Sequence, residues 1–220
     1  MSAMRAALIP MKDLAGAKQR LASKLALPER RALALAMLSD VIAACRESGC
    51  FDVVAVTSAD AGVAEAAVTL GAVPLVEPPD AGGLNEGLTW GGEALAQGMA
   101  LGELVILPAD IPLARAEDVR AVCDALAAAG DRCVIVRARD GGTNALALRP
   151  PRAIPMRFGP QSCDAHIAAA RAAGLDVVEL ALDRLAFDVD APEDLDALAS
   201  LPLGAATSAW LAAHTAGRTR

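Results

Sequence analysis

The sequence predicts an α/β fold with a mostly parallel central sheet, and three observations carry that expectation. Short apolar runs closed by proline or turn residues alternate with longer segments as far as residue 130. Such alternation builds a parallel sheet with helices on both faces. Two further apolar runs, 133–138 and 144–150, follow each other with only RDGGT between them, which predicts an antiparallel insertion. No internal repeat or linker breaks the pattern, so 1–202 reads as a single domain and 203–220 as a C-terminal tail. A chain of 220 residues suits one sizeable domain.

Taken in order, RAALIP (5–10) is the first strand, closed by Pro10. A loop carrying Lys12, Lys18 and Arg20 leads to a long helix that opens at Leu27-Pro28, with proline in its first turn and Gly49 as its stop. FDVVAVTS (51–58) is a strand, 60–70 a helix and AVPLVEP (72–78) a third strand. PPDAGG (78–83) is a turn-rich loop before a helix from about Asn85 to 100. Strand 104–110 and helix 115–129 follow, the latter stopped by Gly130. After the paired strands come the loop RFGPQS, a helix over 162–173, strand DVVELAL (176–182), a short strand around Ala186-Phe187 and a helix over 192–200. The tail reads as weakly patterned and helical in part at most.

Hydrophobic residues make up 55% of the chain, but no apolar run approaches the ~18 residues a membrane span needs, so no membrane association is expected. The amino terminus does not resemble a signal peptide, and the five cysteines include no C-x-x-C pair. Both features suit a reducing cytoplasm. Residues 1–31 carry a net +5, as do residues 132–157; with the whole chain at −7, the remainder holds −17. Two local cationic segments on an acidic chain point to a small anionic ligand rather than nucleic acid, which would want a broad basic face.

Several chemistries are disfavoured by what is missing. His166 and His214 are the only histidines, each read as a surface or packing residue, so zinc and histidine-base catalysis are not expected. Neither G-x-x-x-x-G-K-[ST], nor G-x-G-x-x-G after the first strand, nor G-x-S-x-G occurs. Carboxylates, lysines, arginines and small turn residues remain, the equipment for phosphate chemistry with magnesium.

The chain is organised around LVILPADIP (104–112). Its apolar residues read as a strand buried on both faces, and Pro108 ends the ladder so that Asp110 falls just past the strand. In open parallel sheets ligands bind beyond the carboxyl ends of the strands, so Asp110 is placed either to hold a metal or to cap a turn or helix. Asp188 and Asp190 flank Val189 after the short strand and would point the same way; Asp190 is either a metal ligand or the N-cap of the helix beginning A-P-E-D-L. Lys12, Lys18 and Arg20 follow the first strand, where such sheets bind phosphates, or are simply surface cations. Asn85 carries the donors and acceptor needed to read a base edge, or caps a helix. Thr143 behind Gly141-Gly142, and Gly159 and Ser162 in RFGPQS, lie in loops able to form an anion nest. Gly141-Gly142 is also a hairpin turn, and Ser162 also an N-cap.

Taken together, PMKDLAGAKQRL, GGLNEGL, LPADIPL, GGTNALAL, RFGPQS and FDVDAPEDL resemble the CofC/FbiD family of phospholactate guanylyltransferases of coenzyme F(420) biosynthesis. The resemblance runs from about residue 5 to 200 and departs at Met11 and at Cys163, where valine and an aromatic residue are usual. It implies a nucleotidyltransferase (GT-A-like, Rossmann-like) fold and transfer of GMP from GTP to a small phosphorylated three-carbon carboxylic acid. That acid would be phosphoenolpyruvate, 2-phospho-L-lactate or 3-phospho-D-glycerate. The resemblance further implies that Lys18 and Arg20 hold the triphosphate and that Asn85 lies near the guanine. Asp110 and Asp188, with Asp190 as a further candidate, would be Mg²⁺ ligands, and Thr143, Gly159 and Ser162 would hold the acid. It also suggests a homodimer, which the Ala/Leu-rich helices and Trp210 would permit. The alternatives are another nucleotidyltransferase of the same fold, acting on a sugar phosphate or molybdopterin, and a non-catalytic nucleotide-binding module.

Overall fold

The computed structural model describes residues 3–78 and 82–218. The middle of the predicted PPDAGG loop, 79–81, lies outside the described residues. Among those described, seven strands form one sheet: β1 (Met4–Pro10), β2 (Val53–Ser58), β3 (Val73–Val76), β4 (Leu101–Ile106), β5 (Arg132–Arg137), β6 (Thr143–Arg149) and β7 (Asp176–Glu179). Their order across the sheet is β3-β2-β1-β4-β6-β5-β7. Every pairing is parallel except the two made by β6, which runs antiparallel to both β4 and β5. The expected antiparallel insertion is therefore a single reversed strand inside the sheet.

Eight α-helices accompany the described strands: α1 (Leu27–Ser48), α2 (Ala61–Thr69), α3 (Leu84–Gly98), α4 (Ala116–Ala127), α5 (Ser162–Ala172), α6 (Asp183–Ala186), α7 (Pro192–Ala197) and α8 (Ala205–Arg218). Strand alternation sorts the core into two layers. Ala7, Ile9, Val105, Val134 and Ala147 face α1, α2 and α4. Ala6, Leu8, Leu104, Ile106, Ile135 and Leu146 face α3 and α5. Buried on both faces, the inner strands are apolar without a break, which is why the sequence shows runs rather than alternation.

Local signals set the helix ends. Asp60 accepts hydrogen bonds from the Gly62 and Val63 amides at the start of α2. Pro28 sits in the first turn of α1, and Gly49 ends it at φ 67°.

Two expectations require correction. A helical turn, α6, stands where a short strand around Ala186-Phe187 was expected. Arg184 ties that turn to α4 through Asp118 and Glu117, Leu185 is buried beneath it, and only Phe187 beyond it is extended. The tail is also more regular than expected, since α8 spans fourteen residues. Asp40 of α1 accepts the amides of Ala206 and Thr207 at 2.9 Å each, capping α8 from another helix. Trp210 and Leu211 then join Leu33, Met37 and Phe187 in a third apolar cluster.

Candidate active site

β1 and β4 are neighbours, and the chain leaves the sheet at the same end after each. Between Pro10–Arg20 and Pro108–Asp110 lies a cleft of about 420 Å³, with Ala34 and Met37 of α1, Leu84 of α3, Phe158 and Asp190 completing its lining. The loop after β1 is held in shape locally. Asp13 accepts the Gly16 amide at 2.6 Å, and Asp60 accepts the Leu14 amide at 2.8 Å. Lys18 ends the loop in the left-handed region (φ 45°) before a 3-10 turn over Gln19–Ser23.

That backbone sends the Lys18 ammonium between two carboxylates. It pairs with Asp110 and, at 2.9 Å, with Asp190. Lys18 is only 12% exposed. Burial works against its charge, but Asp110 and Asp190 outweigh burial and hold its pKa above the ordinary lysine value. Burial likewise opposes the charge of Asp190, yet Lys18, Arg20 and Lys12 bring its pKa below the usual carboxylate value. Arg20 reaches Asp190 at 3.7 Å from an exposed position, and Lys12 lies on the rim. Neither acid caps a helix. The Asp190 and Ala191 amides at the start of α7 are instead satisfied by Asp194, and α4 is capped by Asp118. The helix-cap reading of these two acids is thereby set aside.

Asp188 stands beside this pair. The Val189 amide donates to the Asp110 carbonyl at 3.1 Å, bringing the two acidic segments together. Burial raises the Asp188 pKa, a hydrogen bond from Asn144 at 3.1 Å lowers it, and the charges of Asp110 and Asp190 raise it further. The three aspartates thus feel one another across one end of the sheet. Among the described residues, no three His, Cys, Asp or Glu side chains form a ready-made metal cage.

Thr143, Gly159 and Ser162 form a second group next to the cleft. Thr143 and Ser162 are buried, with their hydroxyl oxygens 3.0 Å apart. Ser162 does not cap α5: Gln161 is the N-cap residue, and the serine side chain turns to Thr143. Gly159 has φ 146°, in the region that favours glycine, within the loop joining the two groups. Asn85, in the first turn of α3 rather than at its cap, is tied to that loop. Its amide nitrogen donates to the Phe158 carbonyl at 3.0 Å, and its oxygen accepts the Phe158 amide at 2.7 Å. Phe158 itself lines the cleft.

His166 packs in the interior, one of the two places expected for it, and also makes directed hydrogen bonds that the sequence did not suggest. It is fully buried, and both ring nitrogens are engaged: Nδ1 with the Thr143 hydroxyl at 3.0 Å and Nε2 with the Arg157 amide at 3.0 Å. The spacing of Ser162 and His166, four apart on one helix face, was the available signal. His214 also packs, stacked on Trp210 and 3.2 Å from Glu29. Cys163 is buried in the core with Cys133 and does not line the cleft.

Comparison with solved structures places the chain in a known architecture. A protein of Desulfovibrio desulfuricans G20 described as a nucleotide-diphospho-sugar transferase superposes with a TM-score of 0.75. It covers 98% of this chain and 96% of its own at 20% identity, a likeness of fold. The same fold recurs in a solved nucleotidyl transferase from Methanothermobacter thermautotroptrophicus, with a TM-score of 0.64 over 88% of this chain and 95% of that one at 15% identity. More narrowly, the family model described as "Guanylyl transferase CofC like" matches residues 4–211, and the chain belongs to that family. A phosphoenolpyruvate guanylyltransferase of Sphaerobacter thermophilus is 43% identical, over 91% of this chain and 96% of that protein. A 3-phospho-D-glycerate guanylyltransferase of Phenylobacterium zucineum is 36% identical over 93% and 94% respectively.

Proposed function

We propose that the protein transfers GMP from GTP to the phosphate of a small phosphorylated three-carbon acid, releasing pyrophosphate, as a step of coenzyme F(420) biosynthesis. The observation that carries this reading is the Lys18 ammonium held between Asp110 and Asp190 at the mouth of a cleft rimmed by Lys12 and Arg20. Phosphoenolpyruvate is the leading acceptor, since relatives so named reach 43% and 39% identity. 3-Phospho-D-glycerate and 2-phospho-L-lactate, named in other relatives, follow it. With five free cysteines, the chain suits a reducing cytoplasm. A homodimer is the assembly to test by light scattering.

The chemistry follows from the residues. An oxygen of the acid's phosphate attacks the α-phosphorus of GTP, a bond forms there, and the bond to the pyrophosphate oxygen breaks. The attacking oxygen is already anionic at neutral pH, so no histidine or cysteine base is needed. Lys18 and Arg20 bind the triphosphate and neutralise charge as pyrophosphate departs. Thr143, Gly159 and Ser162 hold the acid in line.

The donor set also suits magnesium, which takes one or two carboxylates and completes its shell with waters and substrate phosphates. Asp110 and Asp188 would hold it, with Asp190 alongside. Once bound, it would supply further charge neutralisation to the phosphates.

Incubation with GTP, Mg²⁺ and each acid in turn, with pyrophosphate measured, tests the reading. Turnover with phosphoenolpyruvate is expected, and silence with all three acids would overturn it. A preference for CTP or UTP would point to a different nucleotidyl transfer.

A further inference from the structure

The hydrogen bonds around His166 have a direction. A backbone N–H can only donate, so Arg157 requires Nε2 of His166 to be an unprotonated acceptor. The proton of the neutral ring therefore sits on Nδ1, and Nδ1–H donates to the Thr143 hydroxyl oxygen. With its oxygen accepting from His166, Thr143 can direct its own proton to the Ser162 oxygen 3.0 Å away. Ser162 then keeps its O–H for an anionic ligand. Little water reaches this chain of donors to reverse it, because His166 is fully buried and Thr143 and Ser162 are 6% and 2% exposed. The Phe158 ring, which lines the cleft, packs edge-on against His166 with centroids 4.9 Å apart.

We propose that His166 is a positioning residue for the phosphorylated acid, setting the Thr143 and Ser162 hydroxyls as donors and strapping the loop that carries Gly159. The inference rests on the reading of Thr143 and Ser162 as the acid's binding site. Both functions of the ring converge on one substrate. Through Nδ1 it orients hydroxyls, and through Nε2 it fixes Arg157, two residues before Gly159. Burial, followed by the charge of Arg157, lowers the ring's pKa to about 4, in keeping with a neutral imidazole at physiological pH. Asn85 holds the next residue, Phe158, from α3, so the loop is fastened from two helices.

Two substitutions separate the functions. An asparagine nitrogen overlays Nδ1, so His166→Asn keeps the donor to Thr143 and loses the strap on Arg157. A glutamine oxygen reaches the place of Nε2, so His166→Gln keeps the strap and loses the donor. Steady-state kinetics with GTP and phosphoenolpyruvate, alongside thermal melts, read the outcome. His166→Gln is expected to raise the KM for the acid about ten- to a hundredfold while the KM for GTP stays within about twofold. His166→Asn, which keeps the donor and loses the strap, is expected to raise the acid KM by a smaller factor, about three- to tenfold. Thr143→Val, which removes the intermediate hydroxyl and leaves the ring, is expected to match His166→Gln and guards against misfolded histidine variants. Equal loss in both histidine variants, shared by the two substrates and following the melting temperature, would overturn the inference and leave a packing role. So would an unchanged acid KM in His166→Gln. A wild-type protein that neither turns over nor binds any of the three acids by calorimetry overturns the functional reading itself, and the inference falls with it. The two failures are therefore distinct.

Discussion

The two sides of the site differ in what satisfies their polar groups. Around Lys18, charge is set against charge: three aspartates, two of them paired with Lys18, with Arg20 and Lys12 at a rim open to solvent. Around His166, neutral donors and acceptors follow one another through buried atoms. A charged and partly open cluster can exchange partners when a triphosphate arrives, because its members are held by ion pairs that a phosphate can replace. A buried neutral chain has no such freedom, and its directions are set before the ligand comes. The difference is in keeping with the proposed assignment, a triphosphate on the charged side and the acid on the neutral one.

Breaking the charged side should have the largest effect. Lys18→Met removes the cation shared by Asp110 and Asp190 and is expected to lower kcat/KM for GTP about a thousandfold. Asp110→Asn, which leaves Lys18 the Asp190 partner, is expected to cost about a hundredfold with little change in acid affinity. Pre-steady-state pyrophosphate release, followed for each substrate, checks both.

A pH series sharpens the contrast. The folded-state pKa of His166, about 4, lies below the ordinary histidine value. Between those two values the unfolded chain binds the extra proton and the folded chain does not. The associated stability is thus present above about pH 6.5 and is lost as pH falls toward 4, amounting to about 3 kcal/mol. Denaturant midpoints from pH 7 to 4 should show this loss in the wild type and not in His166→Asn or His166→Gln. On the charged side, Asp188 is shifted up and Asp190 down, so their contributions oppose each other across the acidic range. The smallest effect on catalysis is expected from Arg20→Ala. Arg20 is 76% exposed and 3.7 Å from Asp190, so its loss is expected to lower kcat/KM for GTP about tenfold, less than the loss of Lys18, and by less again in high salt.

The same contrast governs what the sequence could reveal. LVILPADIP announced its strand and its acid because proline ends a ladder wherever it falls. The cations after β1 were legible as residue types delivered by a strand end; Asp188 and Asp190 were legible as alternating acids, although a helical turn precedes them where a strand was expected. What stayed hidden depends on partners far apart in the chain. Asn85 and Phe158 are 73 residues apart, and no local pattern tells a base-reading amide from one that fastens a loop. His166 lies among alanines on α5, where a lone histidine looks like filler until Thr143, 23 residues earlier, is placed beside it. Helix α8 was missed for a related reason. Its Ala-rich stretch is stabilised by Asp40, 166 and 167 residues before the amides it accepts.

The docking of α8 also leaves a mark readable without any structure. A Cβ at Gly204 would overlap the Asp40 carboxylate, so the close approach of these two segments admits no side chain there. Met37, which lines the cleft, lies one turn from Asp40 and in the same apolar cluster as Trp210. A related chain with a bulkier residue in place of Gly204 must therefore move Asp40 or seat its final helix differently, and with it the floor of the cleft.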